Sequence, residues 1–199
     1  MRVFGWPTIS VRSSKGGAAF YHSPIQPQPV EPSCLGWATW STFVSDRGYK
    51  ISGYTSLYFA AHLINLEWAQ HRSGIHKMFR SSIELKDGDG NELVTSYALH
   101  RSDGNWALML VNTDQDHAHD VRIVFERATN KQSFYFTGDV RRISFGSEQY
   151  VWHDKGADSY PDPDGFPVGT TMPGGPDGAY TLPKASVTVL RGKVSGLGE

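Results

Sequence analysis

The chain has one cysteine, no long apolar run and no strong excess of charge of either sign. Cys34 alone cannot form an internal disulfide, so the fold must depend on its core. No segment approaches the roughly 20 apolar residues of a membrane span, and residues 1–7 lack the apolar stretch of an export signal. The net charge is −1 and the longest basic cluster is Arg141-Arg142. We therefore expect neither nucleic acid nor a membrane as a partner.

Motifs for nucleophilic and zinc chemistry are missing as well. No Gly-x-Ser-x-Gly turn occurs, and nothing in the sequence marks Cys34 as an activated thiol. His117 and His119 are spaced to share one face of a strand, but no third zinc ligand accompanies them. We expect them in an exposed loop, and we predict no metal site and no cofactor.

An acidic loop follows residue 153 and is rich in Asp, Pro and Gly. Asp158, Asp162, Asp164 and Gly165 are similar to a calcium loop in composition, because hard cations require several converging oxygen ligands. Their spacing does not match an EF-hand. A solvated loop stiffened by proline is the favoured interpretation.

The centre of the chain has the pattern of an antiparallel sheet. Two alternating runs, 93–100 and 106–112, flank the turn 102–105, whose Asp-Gly pair supplies the left-handed backbone of a tight turn. A third run, 120–125, places Val121, Ile123 and Phe125 on one face. These runs predict a three-stranded meander with one wet face.

Further strands are expected on both sides of this meander. The abundance of Gly, Pro and aromatic residues is typical of many short strands joined by turns. Candidates lie within 74–85, 133–137, 140–145, 149–153 and 186–191, with a long loop before the last of them. About eight or nine strands predict a mainly β fold, an antiparallel two-sheet, jelly-roll-like β-sandwich.

The N-terminal part has a different organisation. Residues 1–52 form an irregular, extended arm rich in proline and aromatic residues, with one short strand at 17–21. A helix follows at 53–72, capped by Ser52 or Thr55, and then the sandwich at 73–194 and a tail at 195–199. The helix has apolar residues on more than one side, which indicates two buried faces or a partner.

Glycoside hydrolysis requires two carboxylates roughly 5 to 9 Å apart, and no motif here pairs any two. Glu67 is a weak candidate beside Trp68, although an ion pair with an Arg or Lys of the sheet is the favoured interpretation. Asp162 and Asp164 of the acidic loop are equally weak candidates.

Aromatic side chains provide a stronger signal for carbohydrate. Trp37, Trp40, Trp152 and Tyr160 lie in or beside irregular segments, where their ring faces could stack on sugar rings. The alternative is that the tryptophans fill the core between the sheet, the helix and the arm.

Four segments carry a resemblance to a known group of enzymes: YFAAHLINLEW (58–68), LVTSYALHRSDGNW (93–106), LVNTD (110–114) and YTLPKASVTVLRG (180–192). They resemble the C-terminal region of bacterial clan A glycoside hydrolases, similar in plan to families 30, 39, 51 and 79. These are retaining enzymes with a (β/α)8 barrel and an appended β-sandwich. The resemblance implies that 17–22 corresponds to the last barrel strand, 54–70 to the last barrel helix and 75–192 to the sandwich.

The resemblance also implies where the catalytic glutamates belong. They sit at the ends of the fourth and seventh barrel strands, which would precede Met1, so no residue here inherits either role. An accessory sandwich that contacts carbohydrate is the first hypothesis. The alternatives are a small stand-alone hydrolase acting on plant polysaccharide or aryl glycosides, and an interaction module that docks a separate barrel. Apolar surface left by missing barrel repeats predicts a homo-oligomer, most simply a two-fold dimer through the helix and the arm.

Overall fold

The computed structural model describes residues 2–5, 25–27, 42–45, 48, 50–70, 74–155, 160–162 and 165–197. Strands dominate these residues, which confirms the mainly β class. Among the same residues there is one α-helix, α1 (Ser56–His62), which continues directly into a π-helical segment, Leu63–Trp68. The strands are β1 (Arg2–Gly5), β2 (Ile25–Pro27), β3 (Phe43–Ser45), β4 (Ile51–Tyr54), β5 (Lys77–Ser82), β6 (Val94–His100), β7 (Trp106–Asn112), β8 (His119–Arg122), β9 (Val124–Arg127), β10 (Ser133–Phe134), β11 (Phe136–Gly146), β12 (Trp152–His153), β13 (Tyr160–Pro161), β14 (Val168–Pro173), β15 (Ala179–Leu182) and β16 (Ser186–Val194).

A nine-stranded sheet in the order β10-β9-β1-β5-β6-β7-β16-β11-β14 forms the main layer. Its pairings are antiparallel except that β1 runs parallel to β9. The pair β8-β15 supplies Val121, Tyr180 and Leu182 to a core shared with Leu108 and Leu110 of β7. This arrangement agrees with the predicted β-sandwich.

The predicted hairpin is confirmed residue by residue. Strands β6 and β7 pair from Val94 opposite Asn112 to His100 opposite Trp106. In the loop, the Gly104 amide donates to the carbonyl of Arg101 at 2.9 Å, and the Arg101 amide donates to the carbonyl of Asn105 at 2.8 Å. Gly104 has a φ of 73°, which is the left-handed conformation that the Asp-Gly pair indicates.

The prediction that the run 120–125 forms the third strand of a meander is wrong. The run 120–125 breaks at Ile123, so that β8 pairs with β15 while β9 pairs with β1 and β10. Strand β7 has β16, not β8, as its second neighbour. The predicted buried face is nevertheless correct, since Val121, Ile123 and Phe125 are 7%, 3% and 1% exposed. Alternation persists because both layers point their apolar side chains into the same core.

The helix covers the opposite face of the large sheet. Phe59 and Leu63 pack there against Ile143, Phe145 and Val189 in a second core. The helix is shorter than predicted at its start, because Ser52 belongs to β4 and Thr55 occupies the N-cap position. The Thr55 hydroxyl donates to the carbonyl of Thr42 at 3.3 Å and does not cap the helix.

Other boundaries also differ from the prediction. The predicted strand 149–153 is reduced to β12, and the predicted long loop before residue 183 contains β13, β14 and β15. Strand β14 adds to the edge of the large sheet beside β11. The predicted strand at 17–21 lies outside the described residues.

Candidate functional site

Two clefts open along the helix on the face of the sheet that the helix covers. The first, which we call the neutral groove, has a volume of about 610 Å³ and is lined by Ser56, Thr113, Gln115, Ser147 and Tyr150 among others. None of its described lining residues is Asp, Glu, Lys, Arg or His. The neutral groove therefore offers hydroxyl, amide and aromatic groups without formal charge.

Tyr150 is the aromatic residue that shapes the neutral groove. A turn after β11 holds it in place, in which the amides of Gln149 and Tyr150 donate to the carbonyl of Gly146 at 3.0 and 3.1 Å. Its ring meets Phe59 edge to face with centroids 6.0 Å apart. Burial raises the pKa of the Tyr150 hydroxyl, which also accepts a hydrogen bond from the backbone amide of Ser56. The hydroxyl is therefore protonated at neutral pH and can donate a hydrogen bond.

The second cleft, which we call the charged cleft, has a volume of about 230 Å³. Tyr58, His62 and Glu67 reach it from the helix, Arg141 from β11 and Phe166 from the segment before β14. Ile143 and Gly169 complete its floor along the β11-β14 ladder, where they pair.

Glu67 joins the helix to the sheet in this cleft. Its carboxylate Oε2 accepts a hydrogen bond from Nη1 of Arg191 on β16 at 2.9 Å, which confirms the expected ion pair with a cation of the sheet. The Glu67 carbonyl accepts from Nη1 of Arg101 at 2.8 Å, and Arg101 pairs with Asp103 at 3.0 Å. Burial lowers the pKa of Arg101, an effect that Asp103 opposes.

Asp162 forms hydrogen bonds with His153 of β12 and with Val151, the residue before β12. Its carboxylate lies 2.5 Å from Nε2 of His153 and accepts the Val151 amide at 2.8 Å. The hydrogen bond from His153 is the main cause that lowers the pKa of Asp162. A carboxyl group with a lowered pKa is ionised at neutral pH, so Asp162 is unsuited to act as a general acid.

Two other predicted site residues lie on neighbouring strands, one register position apart. Trp152 and Tyr160 lie on the paired strands β12 and β13, opposite Pro161 and His153. Trp37, Trp40, Asp158 and Asp164 lie outside the described residues.

Both histidines of the His117/His119 pair contact the carboxylate of Asp114. Nε2 of His119 lies 2.9 Å from one carboxylate oxygen, and Nδ1 of His117 lies 3.4 Å from the other. Hydrogen bonds, first of all from the Asp116 amide, lower the pKa of Asp114 to about 2. His117 lies in the expected exposed loop, whereas His119 begins β8 and is half-buried. Within the described part of the chain, no three His, Cys, Asp or Glu side chains are grouped to hold a metal ion, and no helix is long and apolar enough to cross a membrane.

Apart from Glu67, the sequence did not identify the residues that line the two clefts. Arg141 was considered only as part of a short basic pair, although alternation along β11 places it on the same face as Ile143 and Phe145. Tyr150 follows a turn within the predicted strand 149–153, and Phe166 lies in an irregular segment without a periodic signal. They reach the clefts only through the sheet topology.

Similar folds occur among solved glycoside hydrolases. The chain matches the GH51 α-L-arabinofuranosidase of Thermotoga petrophila with a TM-score of 0.53 and 12% identity, over 76% of this chain and 31% of that one. It matches the α-L-arabinofuranosidase of Thermotoga maritima with a TM-score of 0.50 and 12% identity, over 76% and 31% of the two chains. Another arabinofuranosidase gives a TM-score of 0.53 at 11% identity, over 77% and 32%.

The chain therefore spans about a third of the length of these enzymes. No protein-family model and no curated protein sequence matches it. The comparisons therefore show a likeness of fold to part of these glycoside hydrolases, as the resemblance in the sequence predicts.

Proposed function

We propose that this chain is the β-sandwich part of a glycoside hydrolase, which contacts carbohydrate but does not cleave it. The fold likeness to arabinofuranosidases supports the first half of this proposal. In such an enzyme the catalytic residues then belong to a separate barrel, and the sandwich adds contacts to the polysaccharide.

One observation supports the non-catalytic role above all others. The two clefts contain a single acidic side chain, Glu67, among their described lining residues, and Arg191 binds its carboxylate at 2.9 Å. Retaining hydrolysis requires a second carboxylate about 5 to 5.5 Å from the first. Neither cleft supplies such a pair.

The neutral groove supports the contact with carbohydrate. Neutral sugars present many hydroxyl groups and an apolar ring face, and recognition combines a few placed polar groups with aromatic or apolar surface. Tyr150 supplies a ring and a donor, while the exposed Ser56 and Gln115 side chains lie at the same groove. We also propose Trp152 and Tyr160, and Trp37 and Trp40 of the arm, as stacking residues.

Calorimetric titration with soluble neutral polysaccharides, arabinoxylan and arabinan, tests the proposal. The chain should bind at least one of them, and a Ser56→Ala/Gln115→Ala variant should bind about tenfold more weakly because two hydrogen bonds are lost. Thr170→Ala removes an exposed hydroxyl from the edge strand β14 and serves as the control. Absence of binding, or equal binding by both variants, would refute the role of the groove.

Turnover of aryl glycosides and of the same polysaccharides tests the proposal that the chain does not cleave carbohydrate. We expect no turnover by the purified chain. A rate that persists through purification and is abolished by Glu67→Gln would instead support the stand-alone hydrolase.

A second candidate function is self-association through the helix. Ile64 and Leu66 of the π-helical segment remain 38% and 42% exposed. Apolar side chains that remain in water favour association, and a net charge of −1 opposes it little. We propose a two-fold dimer through this surface.

A further inference from the structure

We infer that the charged cleft binds a single sugar ring that carries a carboxylate, that is, a uronic acid. This inference rests on the proposed function in that the ligand is a carbohydrate. It concerns a different cleft and a negatively charged ligand. The neutral groove, by contrast, contains no formal charge among its described lining residues.

The charges around the cleft leave one cation unpaired. Arg101 pairs with Asp103 at 3.0 Å and Arg191 pairs with Glu67 at 2.9 Å. Arg141 is the third guanidinium of this group, and among the described residues it has no carboxylate within ion-pair distance and no hydrogen bond. Lys193 adds a further cation beside Asp103, where its Nζ donates to the Asp103 carbonyl at 3.0 Å. Among the described charged residues that line the cleft, Arg141 is therefore the cation without a carboxylate partner. A guanidinium is suited to bind a carboxylate through two parallel hydrogen bonds.

Gly169 leaves room beside this guanidinium. A Cβ atom placed on Gly169 would lie 3.4 Å from Nη2 of Arg141 and 3.9 Å from Cγ1 of Ile143. Gly169 belongs to β14, the edge strand of the sheet. The absence of a side chain therefore keeps the space next to Arg141 accessible from the sheet edge.

His62 adds a polar atom that no described residue satisfies. Its Nδ1 is buried and has no hydrogen-bond partner among the described residues, although the ring lines the charged cleft. A buried polar atom without a partner is costly, and one such atom in a native structure calls for a physical explanation. A hydroxyl or carboxylate oxygen of a ligand could supply the missing bond, because imidazole nitrogen acts as a donor or an acceptor.

Phe166 provides an apolar wall. It is 54% exposed, yet its ring is fixed edge to face against Phe59 and Tyr54 with centroids 5.5 and 6.1 Å apart. A rigid, exposed ring beside a guanidinium suits a ligand with one apolar face and one anionic group. The volume of about 230 Å³ is below the roughly 300 Å³ at which pockets for drug-sized ligands begin, so it accommodates one ring.

Nuclear magnetic resonance titration of the whole chain with three small probes tests the inference. Methyl β-D-glucuronide should shift resonances of residues at the charged cleft, whereas methyl β-D-glucoside and acetate at the same concentrations should bind at least about tenfold more weakly. Arg141→Gln should weaken glucuronide binding by about the same factor. Arg122→Gln makes the same charge change at an exposed position of β8, in the other layer, and should leave it unchanged.

A second variant tests the geometry without a change of charge. Gly169→Ala places a methyl group next to the guanidinium and should reduce glucuronide binding while the unfolding midpoint stays within a few degrees. Equal binding of acetate and glucuronide, or equal effects of Arg141→Gln and Arg122→Gln, would overturn the inference. So would a failure of the glucuronide to bind.

Oligosaccharides distinguish a free acid from one attached to a polymer. If the natural source is a pendant group, a xylo-oligosaccharide with one glucuronic acid branch should bind at least as tightly as the glucuronide. Binding of neutral arabinoxylan should be unaffected by Arg141→Gln. The weaker binding of arabinoxylan by the Ser56→Ala/Gln115→Ala variant depends on the neutral groove alone, so the two proposals can fail independently.

Discussion

Arg191 and Glu67 are 124 positions apart in sequence, and Nη1 of the first donates to Oε2 of the second at 2.9 Å. Their side chains are only 23% and 17% exposed. This ion pair joins the π-helical segment to the inner strand β16 of the large sheet. The residue that sequence analysis considered for catalysis therefore has a structural role.

Replacement of Glu67 should destabilise the fold. Glu67→Gln leaves the half-buried Arg191 without its carboxylate, and we expect the free energy of unfolding to fall by about 1–2 kcal/mol. Urea unfolding followed by circular dichroism measures this. The double variant Glu67→Gln/Arg191→Gln should lose less than the sum of the two single variants, because the ion pair couples them. Additive losses would contradict the coupling.

Removal of the Phe59 ring should release the helix from the sheet. Phe59 is 3% exposed and lies 4.7 Å, centroid to centroid, from Phe145. We expect Phe59→Ala to cost about 3–5 kcal/mol. Hydrogen exchange should show the loss of protection first in residues 56–68, while β6 and β7 remain protected. Leu57→Ala, at a half-buried position of the same helix, is the milder control.

Acid should weaken the loop between β7 and β8. The pKa of Asp114 is lowered from 3.8 to about 2 in the folded chain. A carboxyl group with a lower pKa in the folded state contributes stability above its unfolded pKa, and this contribution is lost as the pH falls from about 4 to about 2. Asp114→Asn should therefore reduce stability at pH 7 and make little difference at pH 2.

Urea midpoints at the two pH values measure this difference. Asp116→Asn is the matched control, because Asp116 is exposed and its side chain lies in the same loop. If both variants lose the same stability at pH 7, the hydrogen bonds to the Asp114 carboxylate contribute no more to stability than the exposed carboxylate of Asp116 does.

Self-association should depend on the outward side of the helix. Sedimentation of the unmodified chain should show a dimer, and Ile64→Ser should shift it towards the monomer. Ile75→Ser changes a residue that is 83% exposed in the segment before β5, and it should leave the dimer intact. A monomer at all concentrations would refute the proposed dimer.

The sequence was sufficient where the structure depends on neighbours in the chain. The hairpin 94–112 followed from alternation and the Asp-Gly turn, because β6 and β7 are local partners. The run 120–125 gave the buried face of Val121, Ile123 and Phe125 but not their sheets, because β8 and β9 pair with strands that are distant in sequence.

The residues that line the two clefts are even less predictable from the sequence. The kind of partner for Glu67 was foreseen, a cation of the sheet, but not its identity as Arg191. Arg141, Gly169 and Phe166 become neighbours only because β14 adds to β11 and the helix lies over both. Alternation assigns a residue to a face, whereas the contents of a cleft depend on the order of the strands.

The position of β16 has a consequence for how the chain is made. This strand lies between β7 and β11, and it follows both of them in sequence. During synthesis, β7 and β11 therefore leave the ribosome well before the strand that joins them, and each exposes an edge of unpaired backbone N–H and C=O groups in the meantime. Unpaired edges of this kind are templates for pairing between chains. Loss of residues 186–194 would make that transient state permanent, so aggregation during expression is the expected fate of a chain truncated before Ser186.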